Sequence, residues 1–366
     1  VSNSGNSGNV GIGTVTPSAK LEVVGMTKTT TLQITSGATN GYVLISDSNG
    51  VGRWGKAASD IFTTGSTNNN AIYDIVGSHT LSGVSDYSII AGGYGNTITG
   101  STYSGIFGGA GNKITGGTYS GIFVGSGNTI SGSPYSTIIG GHNNVISGVT
   151  SATIIGSGYG VINQIGSSTF FSYEIIGGGY NNQLHKSSYA AMLGGMNNYI
   201  TYGTNGAFIG GLGNSGHTNG GENSFMIGGS YNKFGNGVTQ ISNTLIENSG
   251  IIGGSYNTNN GESSVIIGGI GNSLGNSDYT STGQSSTILA GNNNILGKFN
   301  HTSLIAGGKN NTISDSTLAR YIAGTNTQNS GILLGSGSTI YTNVKNSVII
   351  GGSDHKISGS SISSGV

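Results

Sequence analysis

Tyr87-Ser88-Ile89-Ile90-Ala91-Gly92-Gly93-Tyr94-Gly95-Asn96-Thr97-Ile98-Thr99-Gly100 opens a phrase that recurs, with changes, as far as Gly359. Its clearest successors start at Tyr103 (YSGIFGGAGNKITG), Tyr119 (YSGIFVGSGNTISG) and Tyr135 (YSTIIGGHNNVISG), each 16 residues after the last. Looser copies start at Ser151, Tyr173, Tyr189, Asn205, Asn223, Asn248, Ser263, Ser285, Thr302, Leu318, Asn329 and Asn346. Residues 71–83 (AIYDIVGSHTLSG) lie one period before Tyr87 and read as a worn first copy. A fixed period of this length is the mark of a solenoid.

Each position of the phrase carries its own message. The fourth is large and apolar or aromatic in every copy, from Ile90 and Ile106 to Ile349. The fifth is nearly as strict, at Phe107, Phe123, Ile139, Ile155, Ile209, Ile227, Ile252, Ile267 and Ile350, with Ala91, Gly177 and Ala306 as small exceptions. The twelfth is usually Ile or Leu, as at Ile98, Ile114, Ile130, Ile146 and Ile357. Two short strands per copy, separated by a glycine turn, predict an all-β solenoid. Sixteen residues are too few for a wide three-sided coil, so a narrow, flattened β-roll of about 16 residues per rung is expected.

Neighbours on a strand point to opposite faces. If the fourth residue fills the interior the fifth points outwards, or the reverse, so Ile90 and the fifth-position residues are the candidate core or interface stripe. Sixteen rungs at ~4.8 Å give a stripe roughly 75 Å long. At about 6 Å width it exposes on the order of 450 Å² of apolar surface, near the limit for a soluble monomer. A parallel homotrimer with the stripe on its shared axis is therefore expected.

The seventh position, Gly93 and Gly109 in the first copies, is glycine in all copies but Ser157, as a tight turn with a positive φ or a close backbone approach demands. The tenth is mostly Asn: Asn96, Asn112, Asn128, Asn144, Asn182 and Asn198 lead the row. Asn tolerates left-handed turns, and stacked amides can bond from rung to rung. An exposed Asn row reading a glycan is the functional alternative.

Only 7% of residues are charged, 12 basic against 12 acidic, so no field exists to recruit nucleic acid or an anionic membrane. Seventy-two glycines with two prolines exclude collagen. The chain has no cysteine, hence neither disulfides nor thiolate chemistry. No apolar run approaches the ~18 residues of a membrane span. A start at Val1 with no signal sequence is expected of a processed or partial product.

Before the array, Gly8–Val23 (GNVGIGTVTPSAKLEV) and Asn40–Gly50 (NGYVLISDSNG) bracket short strand candidates around Leu21–Val23, Thr29–Ile34 and Tyr42–Ser46. Trp54 reads as the anchor that packs this small module. Residues 1–70 are thus expected to form a linker and small β module, and 71–366 the β-roll, with loop insertions near 163–171, 235–247 and 275–284. Insertions in solenoids map to loops, often on a binding face.

The two N-terminal phrases resemble modules of phage tail fibres and related bacterial surface proteins, over about 45 residues, where they precede a trimeric shaft or tip. The array, over some 270 residues, resembles the head repeats of trimeric autotransporter adhesins, whose N-S-V-x-I-G unit is matched at Asn346-Ser347-Val348-Ile349-Ile350-Gly351. The rung here is longer than in the adhesin repeat. These resemblances imply an extracellular trimeric fibre, a virion or cell-surface appendage, that attaches to a host or cell surface through a glycan or protein receptor.

Catalytic patterns are weak. Strings such as Gly92-Gly93-Tyr94-Gly95-Asn96 approach a calcium β-roll but lack its carboxylate. The six histidines share no ligand spacing and read as surface or turn residues. Stacked first-position tyrosines (Tyr87, Tyr103, Tyr119, Tyr135) stabilise a β-surface, or offer a sugar platform. A glycosidase needs two carboxylates about 5–10 Å apart, and Glu247 with Glu262 is the pair to test, for a polysaccharide-degrading tailspike. Neither an enzyme nor a cofactor is expected; a purely structural filament or spacer is the principal alternative to adhesion.

Overall fold

The computed structural model describes residues 8–37, 39–40, 42–56, 62–64, 72–74, 78–156, 164–165, 173–185, 187, 189–201, 205–217, 223–235, 248–275, 285–297, 301–314, 329–341, 344–358 and 364–365. The described residues form strands and turns, with no helix among them. The chain divides into two compact units, Val1–Asp60 and Ile61–Val366. The division falls before 70 because Phe62–Thr64 pairs antiparallel with Ile72–Asp74, which joins Ile89–Ile90 of the array.

In the first unit, Val10–Ile12 lies parallel to Leu21–Val23, and Tyr42–Ser46 forms a hairpin with Gly52–Lys56. Asp47 holds that turn: its Oδ1 accepts the N–H groups of Asn49 at 2.9 Å and Val51 at 3.0 Å. Its Oδ2 accepts Arg53 Nη2 at 2.6 Å. The Val51, Arg53 and Asn49 bonds hold its carboxyl below the usual value. Trp54 donates Nε1 to the Ile34 carbonyl at 2.7 Å. The run Thr29–Ile34, expected as a strand, is not one; Trp54 uses its carbonyl instead of a ladder partner.

The second unit is a β-solenoid of two parallel sheets. One sheet stacks the third and fourth positions of successive copies, as in Gly105↔Gly121 and Ile106↔Ile122. The other stacks positions eleven to thirteen, as in Ile114↔Ile130. The worn copy is a rung: Ile72 pairs with Ile89 and Leu81 with Ile98. The Leu318 phrase lies, as far as residue 328, outside the described residues. Ile305 pairs directly with Ile332, so the sheet passes from the Thr302 rung to the Asn329 rung. The Leu318 phrase has Thr327 in place of Asn at its tenth position and Asn329 in place of an apolar twelfth.

The interior is made by the fourth and twelfth positions. Ile90, Ile106, Ile122, Ile138 and Ile154 face Ile98, Ile114, Ile130 and Ile146, and all have 0% exposure. β-branched side chains suit a pleated surface, and here like residues stack in register at the spacing of the strands. Phe234 fills the twelfth position between Gly216 and Asn259, its neighbours in the sheet. Asn259 is a polar core residue with its amide satisfied: Nδ2 donates to the Ser264 and Gly250 carbonyls, and Oδ1 accepts Gly261 N–H.

The corners explain the glycine and the Asn. Gly93 has φ 98° and Gly109 φ 85°, and a Cβ on Gly93 would run into the Gly109 carbonyl. Both expected reasons for glycine therefore operate. The Asn row differs from expectation. The left-handed residue of the turn is the ninth, Gly95, Gly111, Gly127, Asn143, Asn181 and Asn197, not the tenth. Asn96, Asn112, Asn128, Asn144, Asn182 and Asn198 instead turn their side chains into the roll and have 0% exposure. Buried there, they do not read a glycan.

These Asn side chains tie each rung to the next. Asn96 Nδ2 donates to the Gly92 carbonyl at 3.0 Å and to the Gly109 carbonyl at 3.1 Å. Its Oδ1 accepts the backbone N–H of Asn112 at 2.9 Å, and Asn112 Oδ1 does the same for Asn128. The ladder begins at His79, whose Nδ1 accepts Asn96 N–H at 3.1 Å, so that histidine is a structural member of the row. A second ladder, missed in the sequence although Ser recurs at the second position, lines another corner. Ser88 Oγ donates to the Ser101 carbonyl at 2.6 Å and accepts Ser104 N–H at 3.1 Å.

Removing one such side chain strands buried donors and acceptors on two rungs, which costs about 1–3 kcal/mol per group. Asn112→Ala is expected to lower unfolding free energy by at least that amount in a urea titration, whereas Thr97→Ala, on the outer surface, leaves it within about 0.5 kcal/mol.

Candidate interaction surface

Alternation along the first sheet sends the fourth residue inwards and the third and fifth outwards. Ile90 is accordingly in the core at 0% exposure. Phe107, Phe123, Ile139, Ile155, Ile209, Ile227, Ile267 and Ile350 lie on the outer surface, between 39% and 70% exposed, and Ile252 is half-buried beside them. The third position adds a second apolar column, including Ile89, Ile175, Ala191, Phe225, Val265 and Leu304.

The two columns compensate in size on many rungs, although Val265 with Ile267 and Val348 with Ile350 are both large. Ile89 accompanies Ala91, Gly105 accompanies Phe107 and Gly121 accompanies Phe123. Thr137 and Thr153 accompany Ile139 and Ile155, Ile175 accompanies Gly177, and Leu304 accompanies Ala306. Where Phe225 and Ile227 are both large, the next rung supplies Gly250, and the Phe225 ring lies over it. A surface that meets only water has no reason to hold a constant depth; one that packs against a solid neighbour does.

The outer side of the second sheet is different. Its eleventh position carries Thr97, Lys113, Thr129, Val145, Gln183, Tyr199, Ser215 and Lys233, mostly polar. The solenoid thus has one apolar and one polar outer face.

The first-position tyrosines form the expected stack. Ring centroids of Tyr87–Tyr103 and Tyr103–Tyr119 lie 4.9 Å apart, and those of Tyr119–Tyr135 5.2 Å, within 9° of parallel. Each of these tyrosines has a left-handed backbone, φ 55–58°. Ring faces inside the stack are covered by their neighbours, so the ladder offers edges and hydroxyls rather than a flat sugar platform.

Other candidates gather less. Glu247 lies outside the described residues, so its geometry with Glu262 is not in view; Glu262 is half-buried. Of the insertions, 236–247 and 276–284 lie outside the described residues. Within 163–171, Gln164–Ile165 continues the second sheet, pairing with Val145 and Ile146. Among the described residues, no three His, Cys, Asp or Glu side chains gather as a metal site, and no helix is long and apolar enough to cross a membrane.

One titratable group stands out. Glu174 occupies the second position, where most rungs carry Ser, and is 2% exposed. Its place in the rung puts it inside the roll. Neither carboxylate oxygen makes a hydrogen bond of ordinary geometry. Burial pushes its pKa up to about 8, a rise that the Ser187 backbone N–H opposes in part.

No protein-family model matches the chain, and no curated protein matches it. The resemblances drawn above therefore rest on the quoted residues alone.

Because the folded protein holds the Glu174 proton up to pH about 8 while the unfolded chain releases it near 4.5, folding binds a proton between those values. The stability this protonation supports is complete below pH 4.5 and is lost as pH rises through 8. The wild-type melting temperature is expected to fall between pH 5 and pH 9, and that of Glu174→Gln to fall by clearly less. Equal declines would remove Glu174 from the account.

Proposed function

We propose that the chain is the structural and adhesive part of an extracellular trimeric fibre, a phage tail fibre or bacterial surface adhesin, that attaches to a host or cell surface. The observation that carries this reading is the size-compensated apolar face. A face of constant depth, repeating at the ~4.8 Å spacing of parallel strands, fits a partner with the same repeat, and a further copy of the chain in parallel register has it. A flattened roll of about 16 residues per rung, three copies to a shaft, puts the polar second sheet outwards and the apolar first sheet on the shared axis. The resemblances to tail-fibre modules and adhesin heads support the same assignment. Receptor contacts fall to the insertions, because the regular rungs repeat one surface whereas the insertions vary.

Sedimentation is expected to give three times the 36.6 kDa chain mass. A monodisperse monomer at low concentration would contradict the assembly. Gly105→Ile, which overfills the rung beside Phe107, is expected to weaken assembly by about 1–3 kcal/mol. Gly105→Ile with Phe107→Ala reproduces the Ile89/Ala91 pairing and is expected to restore it. Deletion of 236–247 is expected to abolish binding to cell-surface glycans or receptors while leaving the trimer intact; unchanged binding, or none by the wild type, favours a spacer.

A further inference from the structure

The tyrosine ladder has a gap. Tyr87, Tyr103, Tyr119 and Tyr135 are stacked, and Tyr173 stacks on Tyr189 at 5.3 Å, but the rung between Tyr135 and Tyr173 begins with Ser151. Register places Ser151 in the row: Thr137 pairs with Thr153, and Thr153 with Ile175. Its backbone is that of a tyrosine position. Ser151 has φ 62° against 57° for Tyr135, and its N–H donates to the Pro134 carbonyl at 3.0 Å, as Tyr135 N–H donates to Thr118 at 3.0 Å. Among the described residues, no ring takes its place in the row.

Two rungs separate Tyr135 from Tyr173, about 9.6 Å along the solenoid axis. That is twice the separation of stacked neighbours, and it leaves room for one ring of the thickness found elsewhere in the ladder. The flanking rings are more open than those stacked on both sides: Tyr135 is 58% and Tyr173 56% exposed, against 49% for Tyr103 and 51% for Tyr119. The first-position residues here, Tyr135, Ser151 and Tyr173, are all uncharged.

We propose that the gap at Ser151 is a binding site for one neutral planar aromatic ring. The ring stacks on Tyr135 and Tyr173 through its two faces, and the Ser151 hydroxyl serves a polar substituent at its edge. Aromatic faces attract one another in offset-stacked arrangements, and a sandwich between two of them gives selectivity for flat rings over puckered ones. The site needs only one chain, so it stands or falls independently of the trimer.

The test uses the full-length protein and p-cresol, the tyrosine ring itself, followed by saturation-transfer NMR. Wild type is expected to bind it saturably. Ser151→Tyr, which fills the gap with the chain's own ring, is expected to bind at least tenfold more weakly and to melt at a higher temperature. Tyr135→Ala is expected to weaken binding, and Ser151→Ala to retain most of it. The tripeptide Gly-Tyr-Gly forms a second arm: tighter binding than p-cresol assigns the site to a partner's aromatic side chain, weaker binding to a free ring, and both support the site. No saturable binding by wild type, undiminished binding by a folded Ser151→Tyr, or stronger binding of methyl glucoside than of p-cresol would overturn the proposal.

Discussion

Two neighbouring residues on a strand must point to opposite sides of the sheet, and in this chain both are apolar. The fourth residue of each copy goes into the roll and the fifth goes out, so a single coil satisfies one of the two and leaves the other facing water. The remaining organisation follows from that pair. The interior column fixes which sheet faces which, and the exterior column fixes which outer side of the solenoid is apolar. The level surface made by the third and fifth positions together is what turns a row of exposed side chains into a face.

The coil is held in register by side chains rather than by long strands. Strands of two or three residues offer few ladder bonds, so the corners supply the rest. The buried Asn of the tenth position accepts from the next rung and donates to two glycine carbonyls, and the second-position Ser works in the same manner at another corner. These bonds connect nearest neighbours only, which is the one-dimensional coupling of a repeat protein. The Ser151 to Ala190 stretch is where several of these regularities lapse together. The second position carries Ala152, Glu174 and Ala190, and the tyrosine stack is interrupted.

Much of the fold was legible because the period put like residues on like positions. The two-strand rung, the core columns at Ile90 and Ile98, the glycine turn at Gly93 and the tyrosine stack could be read before any coordinate. The Leu318 phrase, with its apolar pair Tyr321-Ile322, lies as far as residue 328 outside the described residues, and the described sheet pairs Ile305 with Ile332. The Asn row was visible, but its conformation was not. Propensity allows Asn a left-handed turn, and only the three-dimensional corner shows that the ninth residue takes that conformation while the tenth is buried. Glu174 was hidden for a related reason: an isolated carboxylate in a run of Ser and Ala positions looks like a connection until register places it in the interior. Size compensation across the outer face was present in the sequence, yet the third position had to be seen beside the fifth before their pairing had meaning.

The account turns on whether the level apolar face is covered by further copies of the chain. A view down the long axis by electron microscopy tests this most directly. The account predicts three coils around a common axis, with the Ile139 and Ile155 side of each turned inwards and the Lys113 side outwards. A single coil, or coils meeting through the Lys113 side, would contradict it.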